Sequence, residues 1–124
     1  MKKKILLIED ENFLIKPLEF AFRREGMDLI IARDGEEGLV KVKGDLPDLV
    51  LLDLILPKMN GFEVLKEIKT DPSTRNIPVL ILSNLAREGE MKRGFESGAI
   101  GYIVKTNFSI SSLIEKVRKV LDIS

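Results

Sequence analysis

The sequence predicts a doubly wound α/β domain, in which five helices cover both faces of a five-stranded parallel sheet. Three short runs, at residues 5–8, 49–56 and 79–82, are apolar almost throughout and do not alternate with polar residues. Such runs are typical of strands that are buried on both faces. Segments with helical periodicity lie between them, and this alternation of strand and helix requires right-handed crossover connections on a parallel sheet.

Two weaker strand candidates, at residues 28–32 and 100–104, complete the predicted sheet. The first helix is expected over residues 12–25 and contains Pro17. A proline inside a helix clashes with the carbonyl group four residues earlier. We therefore expect this helix either to begin nearer Leu14 or to bend.

Helix-capping signals mark the starts of the second and third helices. Asp34 and Glu37 have the spacing of a capping box, in which the first side chain caps the helix and the second bonds back to the capping residue. Asn60 and Glu63 have the same spacing. Three glycines fall where helices are expected to end: Gly26, Gly44 and Gly98.

The last two helices differ in their expected stability. The fourth, over residues 86–97, contains Gly89 and Gly94, and an interior glycine costs about 1 kcal/mol relative to alanine. We therefore expect it to be the least stable of the five helices. Ser109 can cap the fifth helix. This helix carries an apolar stripe at the spacing of one buried face: Ile110, Leu113, Ile114, Val117 and Leu121.

The composition indicates a single domain over residues 1–124 and excludes several classes of function. Hydrophobic residues make up 44%, and 20 basic residues balance 20 acidic ones, without the basic excess that is typical of nucleic-acid binders. The absence of cysteine and histidine excludes thiolate metal sites and the commonest general base. Because no apolar stretch suits an export signal or a membrane span, we expect a soluble cytoplasmic protein.

The ends of the predicted strands carry residues that can do chemistry. Open parallel sheets bind their ligands at the carboxyl ends of the strands. The residues at these ends are Glu9, Asp10, Asp53, Ser83, Asn84 and Lys105. We therefore expect them to gather on one edge of the sheet.

Asp53 is the most informative of these residues, because an ionised carboxylate in an apolar segment requires a cation beside it. The first and third strands should be neighbours, which would crowd Glu9 and Asp10 against Asp53. Close carboxylates repel one another unless a cation compensates, and their hard oxygen atoms favour Mg²⁺ or Mn²⁺. Simpler interpretations are a solvated acid at Asp53, a helix cap at Asp10, a surface lysine at Lys105 and a strand-end hydrogen bonder at Ser83.

A metal, an ammonium group and a hydroxyl group around a carboxylate suit an incoming phosphoryl group. The metal and Lys105 would neutralise its charge, and Ser83 would donate a hydrogen bond. Asp53 could then act as the nucleophile that forms an acyl phosphate. This chemistry needs no histidine on the chain, because positioning and electrostatics dominate phosphoryl transfer.

In this combination the sequence resembles a CheY-like response-regulator receiver domain of two-component signalling, from residue 4 to residue 121. The resemblance is carried by Glu9, Asp10, the segment 52–61, Ser83, Tyr102 and Lys105. It implies a flavodoxin/CheY-like sheet with the strand order 2-1-3-4-5. It also implies a phosphoprotein that serves as a switch in a phosphorelay and is not an enzyme, apart from self-catalysed phosphoryl transfer and hydrolysis.

The resemblance assigns the metal site and the phosphorylation site. Asp53 would be phosphorylated, Asp10 would bind Mg²⁺ directly, and Glu9 would hold the ion through water. The carbonyl group of Ile55 would supply a further ligand. Glu9 stands where the family often has aspartate, although glutamate also occurs there.

The resemblance also implies how the signal is received and read. Ser83, Asn84 and Lys105 would contact the phosphoryl group, and Tyr102 would turn inward when Ser83 is drawn toward it. The usual donor is a phosphohistidine on a sensor histidine kinase or a histidine phosphotransfer protein. Thr106 stands where the family usually has a proline in a cis bond. The bond before it is therefore either cis, at a cost of about 3–4 kcal/mol, or trans with a rearranged loop.

Alternative functions use the same fold. A receiver-like docking module would not depend on phosphorylation. A flavin protein would need a hydroxyl-rich loop after the first strand, and an aspartate phosphatase would need an Asp-x-Asp pattern, whereas residues 9–12 read Glu-Asp-Glu-Asn. We expect no output domain after residue 121, so that the signal would leave through a downstream protein, a phosphorylation-dependent dimer or another phosphotransfer protein. The expected contact face is formed by the fourth helix, fifth strand and fifth helix.

Two apolar residues, Ile55 and Leu85, are expected to flank the site. Apolar side chains there would exclude the hydrolytic water or fail to orient it. We hypothesise that they give the phosphorylated state a long lifetime.

Overall fold

In the computed structural model, which describes residues 2–85 and 87–123, five strands form one sheet and alternate along the chain with five α-helices. The strands are β1 Lys4–Ile8, β2 Asp28–Ala32, β3 Leu49–Leu52, β4 Val79–Ser83 and β5 Gly101–Val104. The helices are α1 Asn12–Arg24, α2 Gly35–Asp45, α3 Gly61–Thr70, α4 Glu88–Glu96 and α5 Ile110–Val120. A 3₁₀ turn at Lys105–Asn107 joins β5 to α5.

All strand pairs are parallel, and their order β2-β1-β3-β4-β5 confirms the predicted topology. The strand β1 lies between β2 and β3, with Ile8 aligned to Leu52. The residues that follow these two strands therefore emerge side by side. They do so where the direction of winding reverses, which is the place where sheets of this kind bind ligands.

Successive strand residues point to opposite faces of the sheet and pack into two apolar clusters. The cluster under α1 and α5 includes Ile5, Leu7, Leu51, Phe22 and Val117. The cluster under α2, α3 and α4 includes Leu6, Ile8, Leu52, Leu65 and Ile81. Burial on both faces explains why the apolar runs of the sequence show no polar alternation.

Several element ends differ from the predicted ones. The third apolar strand ends at Leu52, so the rest of the run 49–56 forms the following loop. Gly26 and Gly98, with φ of 74° and 107°, end α1 and α4 as expected. Gly44 does not end its helix, because the left-handed residue that ends α2 is Leu46, with φ of 44°.

The helix caps are present, but their partners differ from the predicted ones. The Asp34 side chain accepts a hydrogen bond from the N–H group of Glu37 at 2.8 Å. The Glu37 carboxylate accepts from the N–H group of Arg33 at 2.5 Å, so the capping box does not close on Asp34. The Asn60 side chain accepts from the N–H group two residues later, at 2.7 Å, which makes the predicted box with Glu63 wrong.

Of the predicted helix starts, one is wrong in part, one is confirmed and one cannot be described. The first helix begins at Asn12, so Pro17 lies inside it and the alternative start near Leu14 is wrong. Ser109 caps α5 as predicted. The predicted first residue of the fourth helix, Ala86, lies outside the described residues. In the described part of the chain, no helix is both long enough and apolar enough to cross a membrane.

Gly61 lets the start of α3 lie directly against the backbone that follows β3. A Cβ atom at this position would be 2.4 Å from the carbonyl oxygen of Asp53 and 2.4 Å from the Cα atom of Leu54. The N–H group of Gly61 also donates to the carbonyl group of Leu54 at 3.0 Å. Backbone atoms cannot rotate away as a side chain can, so the glycine is required for the loop that carries Asp53.

We expect Gly61→Ala to lower the free energy of unfolding by about 1–3 kcal/mol, the usual range when extra volume is forced into packed structure. The matched control is Gly44→Ala. A Cβ atom there meets nothing within 4 Å, so this change should raise the free energy of unfolding by about 0.5–1 kcal/mol through helix propensity. Urea unfolding followed by circular dichroism measures both. A Gly61→Ala protein as stable as the wild type would contradict the expectation.

Candidate functional site

The carboxyl edge of the sheet brings the predicted site residues together. Glu9 and Asp10 follow β1, Asp53 follows β3, and Lys105 follows β5. The Lys105 side chain contacts both Glu9 and Asp53, although β4 separates its own strand from β3. The pocket at this edge is lined by Asp10, Glu11, Asp53, Ile55, Asn84 and Lys105.

The ammonium group of Lys105 lies among three carboxylates. Its Nζ atom donates to Asp53 Oδ2 at 2.8 Å and to Glu11 Oε1 at 2.7 Å. It also lies 2.7 Å from Glu9 Oε1, with which it forms an ion pair. The Lys105 side chain is only 7% exposed. One nearly buried positive charge thus holds together the residues that follow β1 and β3.

The pocket stabilises the charged form of Lys105. Burial by itself lowers the pKa of Lys105, but its contacts with Asp53, Glu11 and Glu9 outweigh that effect and raise the pKa above its ordinary value. The ammonium group therefore remains protonated at neutral pH.

Glu9 is fully buried and is held from two sides. Its Oε2 atom accepts hydrogen bonds from the N–H groups of Asp10 and Glu11, both at 3.1 Å. Burial raises the pKa of Glu9, Lys105 opposes this rise, and the negative charge of Asp53 adds to it. A further positive charge at this position would stabilise the ionised form of Glu9.

Asp53 is buried at the base of the pocket. Its backbone N–H group donates to the carbonyl group of Ile8 at 3.1 Å, which continues the pairing of β1 with β3 beyond the strand ends. Its Oδ1 atom accepts from the N–H group of Ile55 at 3.2 Å. The Ile55 side chain is exposed at the rim. The backbone around Asp53 therefore fixes the direction of its carboxylate.

The acidic residues of the pocket fit a divalent cation. One carboxylate oxygen from each of Glu9, Asp10, Glu11 and Asp53 lies within 4.8 Å of the others. These four carboxylates carry more negative charge than the ammonium group of Lys105 can balance. Oxygen ligands of this kind suit Mg²⁺ or Mn²⁺. Asp10 is exposed, which leaves room for the water that Mg²⁺ tends to retain.

The residues at the end of β4 and on β5 meet at Leu85. The buried hydroxyl group of Ser83 accepts a hydrogen bond from the N–H group of Leu85 at 3.4 Å. The hydroxyl group of Tyr102 donates to the carbonyl group of the same residue. Burial raises the pKa of Tyr102, and nearby carboxylates add to the rise. Tyr102 is 8% exposed, so its ring is turned inward.

Two sequence predictions about this region are resolved by the structure. The Lys105–Thr106 bond is trans, and the rearranged loop is the 3₁₀ turn after β5. Leu85 does not flank the pocket as predicted, because its side chain packs against the apolar cluster under α2, α3 and α4. Ile55 does line the pocket. The predicted use of the Ile55 carbonyl as a metal ligand stays a prediction.

Glu11 also belongs to the site, although it was not among the residues predicted for it. It stands directly before α1, at the position of the helix cap, where aspartate, asparagine, serine and threonine are the preferred residues. A glutamate at that position could have been recognised as a side chain free for another purpose.

Comparisons with known sequences agree on one family. A family model described as the response regulator receiver domain matches residues 5–118. The alkaline phosphatase synthesis transcriptional regulatory protein PhoP of Bacillus subtilis (strain 168) is 37% identical over 121 residues, which are 98% of this chain and 49% of that protein. The chain spans about half or less of the length of the curated relatives that it matches first.

Solved structures show the same fold. A putative response regulator from Chloroflexus aurantiacus J-10-fl superposes with a TM-score of 0.90 at 29% identity, over 98% of this chain and 99% of that one. The Mn²⁺-bound form of the response regulator Rcp1 superposes with a TM-score of 0.81 at 31% identity, over 95% of this chain and 91% of that one. The matched sequence and the shared fold both cover nearly all of the chain, which therefore belongs to the response regulator receiver domain family.

Proposed function

We propose that this chain is a phosphoacceptor signalling domain, which takes a phosphoryl group from a phosphohistidine donor onto Asp53 in the presence of Mg²⁺. The observation that carries the proposal is the 2.8 Å hydrogen bond between the Lys105 ammonium group and the Asp53 carboxylate, beside three further carboxylates. The Asp53 side chain is 4% exposed, yet it lines the pocket. It is therefore shielded from bulk water and still open to a donor.

The proposed reaction is an in-line displacement at phosphorus. A carboxylate oxygen of Asp53 attacks, the new O–P bond forms, and the P–N bond to the donor imidazole breaks with its electron pair left on nitrogen. Lys105 is placed to stabilise the negative charge of the phosphoryl oxygens. Glu9, Asp10 and Asp53 would hold a divalent cation, which would supply further charge neutralisation. The Mn²⁺-bound form of the similar protein Rcp1 supports this choice of cation.

The proposed output is a change in the surface of α4, β5 and α5. Ser83 and Tyr102 both bond to Leu85, so movement of Ser83 toward a phosphoryl group would also shift the partner of Tyr102. Gly94 has no Cβ atom, and one there would lie 2.7 Å from the Ile81 side chain and 3.4 Å from the Tyr102 ring. The helix α4 therefore packs directly against Tyr102, the residue whose hydrogen bond would change when Ser83 moves.

The partners follow from this scheme. A sensor histidine kinase or a histidine phosphotransfer protein supplies the phosphoryl group, and a downstream protein or a second copy of the chain reads the altered surface. The chain works in the cytoplasm as a switch, and its only chemistry is its own phosphorylation and dephosphorylation.

The apolar rim of the pocket suggests a slow loss of the phosphoryl group. The Ile55 side chain is 59% exposed and offers an attacking water no hydrogen-bond partner. The lifetime hypothesis therefore rests on Ile55.

We expect Asp53→Ala to abolish Mg²⁺-dependent phosphorylation by acetyl phosphate, because the nucleophile is removed. Intact-mass spectrometry should show that the wild type gains the mass of one phosphoryl group. It should show no such gain when a chelator removes Mg²⁺. Asp45→Ala is the matched control, since Asp45 is an exposed aspartate at the end of α2. A wild type that gains no phosphoryl group would support the phosphorylation-independent docking module instead.

Ile55→Asn should accelerate dephosphorylation by about tenfold or more, because positioned side chains that assist a water typically contribute ~10²–10⁴ in rate. The measurement is the decay of the phosphorylated mass after the donor is removed. Val40→Asn, at a similarly exposed position on α2, is the control. Equal lifetimes for Ile55→Asn and the wild type would refute the lifetime hypothesis.

Beryllofluoride with Mg²⁺ should shift the amide signals of α4, β5 and α5 in an NMR spectrum, because these elements surround Tyr102. Residues around Asp53 should shift in any case and serve as the internal control for binding. Changes confined to the opposite side, around residues 35–43, would overturn the proposed output face.

A further inference from the structure

We propose that Glu11 is a positioning residue, which keeps the Lys105 ammonium group in the pocket when a divalent cation takes the neighbouring carboxylates. The proposal rests on the phosphoacceptor function and deepens it. It answers a question that the geometry raises, namely how one lysine and one metal ion share the same acidic residues.

Lys105 and a divalent cation compete for the same oxygen atoms. The Nζ atom lies 2.7 Å from Glu9 and 2.8 Å from Asp53, and both carboxylates, like that of Glu11, belong to the group that can hold a metal. A divalent cation bound to these residues repels the ammonium group at contact distance. A metal held by Glu9 and Asp53 would therefore weaken two of the three contacts that hold Lys105 in place.

Glu11 is the third contact, and its side chain does not cap the helix that follows it. It occupies the position that precedes α1, yet its carboxylate makes no capping hydrogen bond. The helix is started by the Glu11 backbone, whose carbonyl oxygen accepts from the N–H groups of Leu14 and Ile15, both at 3.0 Å. The carboxylate instead lies 2.7 Å from Lys105 Nζ.

The three carboxylates that contact Lys105 differ in how strongly a bound metal ion would stabilise their negative charge. Glu9 and Asp53 are buried, with side chains 0% and 4% exposed, and a buried carboxylate gains most from a strong positive charge. The Glu11 side chain is 39% exposed at the mouth of the pocket, where water already screens its charge. A metal ion therefore offers Glu11 the least additional stabilisation, so Glu11 is the carboxylate that remains paired with Lys105.

This division of partners places Lys105 where phosphoryl transfer needs it. Once a metal has bound, the ammonium group is held on the Glu11 side of the pocket, beside Asp53. An incoming phosphoryl group then meets the metal and the lysine as two separate positive charges.

The test follows the side-chain ammonium signal of Lys105 by ¹H–¹⁵N NMR in protein labelled at lysine, with Lys105→Met to assign it. In the wild type, the signal should persist in saturating Mg²⁺, because Glu11 protects the protons from exchange. In Glu11→Gln, it should be present without metal and exchange at least tenfold faster once Mg²⁺ is added. Glu19→Gln, which makes the same charge change within the helix that follows Glu11, should match the wild type.

A second readout is the rate of phosphorylation by acetyl phosphate in saturating Mg²⁺. Removing one stabilising donor typically costs ~10²–10³ in rate, and a partly retained lysine should cost less, so we expect a loss of about tenfold for Glu11→Gln. The amide spectrum checks that the variant is folded, and Glu11→Ala should behave in the same way.

The outcomes separate this inference from the proposed function. If the lysine signal survives Mg²⁺ equally in Glu11→Gln and the wild type, or is lost in both, Glu11 is not the anchor. Such a result leaves the phosphorylation of wild-type Asp53 intact. A wild type that fails to become phosphorylated overturns the proposed function instead.

Discussion

The ion-pair cluster around Lys105 is the interaction on which the site depends. Burying any one of its charges without a partner would be unfavourable, and removing one partner of a buried pair typically lowers the free energy of unfolding by about 3–5 kcal/mol. The lysine comes from the end of β5, whereas its carboxylate partners follow β1 and β3. Three distant parts of the chain must therefore assemble before any of these charges is compensated, which couples the chemistry of the pocket to the completed fold.

The sheet leaves few other places for such a cluster. Both of its faces are covered by apolar clusters under the helices, so a charged side chain in the middle of β1, β3 or β4 would have no access to water. At the carboxyl edge the strands end, their backbone turns away, and space opens for polar side chains. The close approach of Gly61 to the backbone after β3 shapes this edge without placing a side chain in it. The architecture thus separates a stabilising interior from a reactive rim.

The parts that could be predicted are those set by local pattern and topology. Apolar runs indicated the strands, and neighbouring strand ends indicated that Glu9, Asp10, Asp53 and Lys105 would meet. The unusual glutamate at the helix-cap position indicated a free side chain, but its pairing with Lys105 could not be predicted, because the direction of a side chain at a helix start depends on backbone angles that the pattern does not reveal. Leu85 was misplaced for a similar reason, since an apolar residue in a loop can face either the pocket or the core.

The inward position of Tyr102 has an optical consequence. The chain contains one tyrosine and no tryptophan, so its near-ultraviolet emission arises almost entirely from that ring. The ring is 8% exposed, and its hydroxyl group is bonded to the backbone at Leu85. The intrinsic fluorescence of the unlabelled protein is therefore a local probe of the segment beyond β4, and quenching by small solutes would report how often that ring opens to solvent.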